Sequence, residues 1–101
     1  MTDTLPPATH SVAEIATPQA GKYMIQLCKH FQHKLPVVSD ERSGEITFSV
    51  GVCRLSAEGE KLTLALEAAD EAQMTTLQDV VARHLVRFAF REELAIDWRA
   101  A

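Results

Sequence analysis

Residues 23–34, YMIQLCKHFQHK, bring one cysteine, two histidines and two lysines into a dozen positions. Thiol, imidazole and ammonium groups at that density suit two kinds of chemistry, metal ligation and anion capture. Lys29, His30, His33 and Lys34 form a basic cluster, and Tyr23 adds a hydroxyl at the other end of the run. No acidic residue occurs between Glu14 and Asp40, although the whole chain carries a net charge of −4. A basic cluster on an acidic chain attracts a small anionic ligand or an acidic protein partner. Tyr23, Lys29, His30, His33 and Lys34 are therefore the candidate binding residues.

On a helix each residue advances ~100°, which sets His30 and His33 ~60° apart, near enough to share a ligand. Cys28 lies ~160° around from His30 and does not join them. A catalytic zinc takes three protein ligands and a structural zinc takes four. A divalent-metal site here thus needs a group beyond His30 and His33, which His84, His10 or a carboxylate in the loops would have to supply. His84 falls within the apolar stripe of a second helix, among Leu77, Val81 and Phe88. The ordinary fate of such a histidine is burial in the neutral form with a hydrogen-bond partner. If the two helices pack side by side, His84 instead meets His30, and Tyr23, His30 and His84 line one cleft. The plain account of the lysines and histidines is a helix C-terminus whose cations suit its dipole.

Other chemistries find little support. Cys28 and Cys53 fall on apolar faces, where a thiol is inert. Neither Ser43-Gly44 nor Ser49-Val50-Gly51 forms a nucleophile elbow, and no glycine-rich phosphate loop or dinucleotide fingerprint is present. Asp40-Glu41 and Glu92-Glu93 sit in turns, where solvated charge is the default. The negative net charge argues against nucleic acid as a partner. No apolar run approaches the roughly 20 residues that span a bilayer. The N-terminus lacks the basic and apolar regions of a secretory signal. Two cysteines without an export signal read as free thiols in a reducing compartment. The expected location is cytoplasmic, with no membrane partner.

The elements that must position these residues follow from periodicity. At 101 residues, 47% hydrophobic and 24% charged, the chain suits one soluble domain. Residues 1–8, with Pro6-Pro7, read as a flexible tail, and 9–101 as a single α+β domain. Residues 11–16 are a short strand. Thr17 then serves as N-cap, with Pro18 at the first helical position. Ala20, Tyr23, Met24, Leu27, Cys28 and Phe31 make one apolar stripe, and Pro36 ends the helix.

Residues 35–39 are extended and 40–44 form a turn. Residues 45–50 alternate, with Ile46, Phe48 and Val50 on one face, and Gly51 marks a break or a close approach. Residues 52–57 and 62–68 are strands of a meander, joined by a turn at 57–60. Asp70 and Gln73 have capping-box spacing ahead of a helix that runs to Phe88. Residues 94–98 are a last strand, with Leu94, Ile96 and Trp98 inward. The order β-α-β-β-β-β-α-β predicts an α+β two-layer sandwich, an antiparallel-rich sheet with two helices on one face.

Three separated segments resemble, in order, a family of small bacterial proteins, domain of unknown function 2218. They are residues 27–34 with Pro36 and Val37 behind them, residues 80–88, and residues 91–98. The resemblance implies a compact α+β domain and assigns no catalytic residue. It places histidines and a lysine at His30, His33 and Lys34, and implies an association with genes for iron and siderophore handling. The expected function is a small non-catalytic binding or accessory module. It would use the basic end of helix one for an anionic ligand or acidic partner. The alternative is a metal-binding protein, iron- or siderophore-linked, using His30, His33 and His84. An enzyme ranks third.

Overall fold

Leu62, Leu64, Leu66 and Ala68 alternate along β5 (Lys61–Ala68), and all four are buried. That strand is the hydrophobic axis of the sheet. On one side it pairs antiparallel with β4 (Gly51–Glu58), which pairs in turn with β3 (Ser43–Phe48) and then β2 (Val37–Ser39). On the other side it pairs with β1 (Thr9–Ala16), and β6 (Arg99–Ala100) closes that edge. The order β2-β3-β4-β5-β1-β6 is antiparallel throughout. The inward side chains Ala13, Ile15, Ile46, Cys53 and Leu55 meet the apolar stripes of α1 (Ala20–Phe31) and α2 (Glu71–Phe88) in one core. The fold is thus the expected α+β sandwich with its expected element order. This computed structural model describes residues 8–101, so the tail assigned to residues 1–8 lies, Ala8 apart, outside the described residues. Among the described residues no helix is long and apolar enough to cross a membrane.

Several boundaries differ from expectation: β1 starts two residues early, and α1 stops at Phe31 so that His33 and Lys34 lie in the turn past it rather than on the helix. Three further differences each have a physical reason. Helix α1 begins at Ala20, with Gln19 at the N-cap and no side-chain cap. Thr17 is buried, and its hydroxyl accepts from the Gln19 amide (3.1 Å) while donating to the Glu92 carboxylate (2.9 Å). A long-range partner has taken the hydroxyl that was assigned to capping. Strand β3 sits two residues earlier than expected, because Asp40 Oδ1 accepts from the amides of Arg42 and Ser43, each at 2.8 Å. That closes the turn early. An even shift preserves the pleat, so Ile46 and Phe48 still face inward, while Ser49 and Val50 become the next turn.

The third difference is at the C-terminal end. Leu94, Ile96 and Trp98 alternate as half-buried residues packed on the core, yet only Arg99 and Ala100 pair with β1. Alternation reports which side chains face the core. It does not report backbone pairing, and residues 93–98 form a strap with no regular secondary structure.

Two expected local features are present. Asp70 caps α2 by accepting from the Gln73 amide at 2.8 Å. Gly51 has φ +156°, and a Cβ there would lie 2.2 Å from the Glu67 carbonyl oxygen.

Candidate functional site

His30 stands at the border of the α1 stripe, and His84 at the border of the α2 stripe, so packing the helices side by side brings the rings together. Their centroids are 4.8 Å apart, tilted by 48°. Phe31 packs against both, at 4.9 Å from His30 and 4.8 Å from His84, and Phe88 approaches His30 at 5.6 Å. Phe48 of β3 backs Phe31 at 4.9 Å. His84 Nδ1 donates to the Val80 carbonyl at 2.7 Å, which fixes the ring's orientation and leaves Nε2 as its remaining polar atom. The expectation of a hydrogen-bonded histidine holds, although His84 is only half-buried.

Where α1 ends, the two helices frame a cleft of about 460 Å³ lined by His30, Phe31, His33, Lys34, Leu35 and His84. The floor is apolar and the rim is cationic. Among the described residues no carboxylate lines it. His84 also borders a smaller groove of about 240 Å³ with Arg83 and Arg87. His30 consequently has its pKa held below the ordinary histidine value, first by local burial and then by the charges of His84, Arg87, His33 and Lys34. Of these neighbours Arg87 and Lys34 are cations that make no ion pair among the described residues.

Pairing of the cations repeats the asymmetry. On the strands, Arg54, Lys61 and Arg99 each meet a carboxylate. On the helix layer only Arg83 does, with Asp79 at 2.8 Å. Lys22, Lys29, Lys34, Arg87 and Arg91 make no ion pair among the described residues. Lys22 moreover sits in the first turn of α1, where the dipole disfavours a cation and no acid is present to offset it.

The sequence-derived set divides. His30 and His84 come together, and His33 and Lys34 are exposed on the same cleft. Lys29 is exposed and does not line it. Tyr23 is not part of it. Its ring is buried and its hydroxyl donates to Glu92, in a separate cleft of about 630 Å³ that also includes Lys22, Phe88, Phe90 and Arg91. Phe88 is the ridge between the two clefts. Glu92, expected as a solvated turn acid, is half-buried and held by the hydroxyls of Thr17 and Tyr23. For the metal reading, no three His, Cys, Asp or Glu side chains among the described residues are placed to hold an ion. His30 and His84 would offer two imidazoles at most, and His33 does not complete a set of three. Cys28 is buried on the opposite side, against Ser39 and Gly44.

A family model described as "Uncharacterized protein conserved in bacteria (DUF2218)" matches residues 12–99. The chain belongs to this family. Among solved structures, the NMR structure of PA4090 from Pseudomonas aeruginosa is similar, with a TM-score of 0.77 and 35% sequence identity. The similarity covers 90% of this chain and 95% of that one. No curated protein matches. The DUF2218 match contains α1, α2 and the strap, and therefore every lining residue of both clefts.

Sequence reasoning missed Arg87, Arg91, Phe88 and Glu92. The signal for Arg87 was present: Arg83 and Arg87 are four residues apart, the spacing of one helix face, whereas Arg91 lies past the end of α2. Nothing local marks Glu92, whose partners are 75 and 69 residues away in the chain.

Proposed function

We propose that this DUF2218 domain is a non-catalytic binding module that takes an anionic ligand at the cleft between α1 and α2. The observation that supports it is the composition of that cleft: His30, His33, His84 and Lys34 around an apolar floor, with no carboxylate in the lining among the described residues. Pockets of this kind, mostly apolar with a few convergent polar groups, are the usual form of small-ligand sites. The end of α1 presents carbonyls rather than N–H donors, so the side chains must supply the anion contacts.

The test is a benzoate titration followed by ¹H–¹⁵N NMR, at low and at physiological ionic strength. Shifts confined to Phe31, Lys34, Leu35 and His84, weaker in salt and lost in Lys34→Gln, support the reading. Absence of benzoate binding, with zinc instead perturbing His30 and His84, would transfer the cleft to metal ligation.

A further inference from the structure

The unpaired cations of the helix layer are not confined to the histidine cleft. Lys34 and His33 rim that cleft at the end of α1. Arg87 follows on α2, close enough to act on His30 and bordering the groove that His84 shares. Lys22 and Arg91 rim the second cleft at the other end of α1, beyond the Phe88 ridge. Cations thus recur at three stations along the seam between the helices. Lys22 and the helix end at Phe31 are nine residues apart, so at 1.5 Å per residue the helical part of the track is ~14 Å long, with Lys34 in the turn just past it. An extended chain rising about 3.3 Å per residue covers that helical span with about four residues.

We infer that the α1/α2 seam docks a short extended acidic segment of a partner protein, with an apolar or aromatic side chain seated in the His30/His84 cleft. The inference rests on the proposed anion-binding role of that cleft and extends it to a class of partner. Charge complementarity selects an acidic chain, since five cations on this layer, Lys22, Lys29, Lys34, Arg87 and Arg91, have no ion pair among the described residues. The concavity at both ends and the apolar floor at one end favour a side-chain-bearing peptide over a flat bilayer. The net charge of −4 disfavours nucleic acid. Glu92, the one carboxylate in the second cleft, is held by the Tyr23 and Thr17 hydroxyls and sits with Lys22 and Arg91 in the same lining.

The probe is the peptide acetyl-Phe-Asp-Glu-Ser-Glu-Asp-Phe-amide, which offers an aromatic end in either chain direction. Its affinity is compared with that of benzoate on the whole chain, on Lys34→Glu and on Lys22→Glu/Arg91→Glu. All three positions are exposed, and an unchanged amide spectrum verifies the fold of each variant. Both variants should weaken the peptide by about tenfold, the scale of one or two reversed surface charge contacts. Only Lys34→Glu should weaken benzoate. Peptide binding indifferent to Lys22→Glu/Arg91→Glu would overturn the seam while leaving the cleft as an anion site. Equal binding of the Gln/Asn version of the peptide would overturn charge recognition. Displacement of the peptide by anionic vesicles or single-stranded DNA at equal charge would overturn the assignment to a protein partner. Loss of benzoate binding alone, with the peptide still sensitive to both variants, would fault the small-ligand reading and keep the seam.

Discussion

Glu92 accepts hydrogen bonds from both Tyr23 and Thr17, so one carboxylate just beyond α2 holds the entry to α1 and its first turn together. The contact lies at the end of α1 remote from His30, in the lining of the second cleft.

The tie should be visible in both stability and titration. Glu92→Ala leaves two buried hydroxyls without their acceptor and should destabilise by about 1–3 kcal/mol, read as a shift in the denaturant midpoint. The Tyr23 pKa is raised to about 12, first by its hydrogen bond to Glu92, then by burial and the Glu92 charge. The chain has one tyrosine, so alkaline absorbance reports it directly. Because the folded value exceeds the unfolded one, this contribution to stability is complete below the unfolded value of about 10. It is lost as pH rises through about 12. A phenolic midpoint near 10 in the folded protein would contradict the contact.

His30 titrates with the opposite sign. Its folded-state pKa is depressed by burial and by the charges of His84, Arg87, His33 and Lys34. Its contribution is therefore present above the unfolded value of about 6.5 and is lost as pH falls through the folded value. The His30 imidazole shift should show the low midpoint by NMR, and Arg87→Gln should move it upward. A midpoint unchanged by Arg87→Gln would mean that the seam cations do not act on His30.

Leu27 and Leu77, one on each helix, are 1% and 0% exposed. Each change to alanine should destabilise by about 2–5 kcal/mol, the range for buried leucines. An unmoved midpoint in either variant would show that its helix face is not core.

At Gly51 an added Cβ meets the Glu67 carbonyl oxygen at 2.2 Å and Leu77 Cδ2 at 2.9 Å. Gly51→Ala should destabilise by about 2–4 kcal/mol, combining backbone strain with overpacking. Gly59→Ala meets nothing within 4 Å but keeps a positive φ, so its smaller loss separates strain from collision.

Periodicity carried the fold because Leu27, Leu77 and the leucines of β5 face one side at spacings that no other element satisfies. It placed β3 two residues late because the Asp40 turn is decided by two backbone hydrogen bonds that composition does not locate. It read residues 94–98 as a strand because half-burial in alternation looks the same whether or not a ladder forms. The meeting of His30 and His84 was conditional on which edges of the helices faced each other, and only packing decides that. Tyr23 shares a helix face with His30 in the sequence, yet its hydroxyl is claimed by Glu92, from the far end of the chain. Long-range polar contacts have no periodic signature.

The pairing of β1 with β5 has a consequence for how the chain folds. Thr47 pairs with Val52 and Ala57 with Leu62, so the β3–β4–β5 meander closes through short hairpins. Ala13 pairs with Leu64, across α1 and the whole meander. Closing that long loop has an entropic cost that only an existing β5 can offset. The first strand of the sequence should thus be the last of the central ones to dock. In stopped-flow refolding, Leu55→Ala should slow folding, whereas Ile15→Val should leave the folding rate nearly unchanged and speed unfolding.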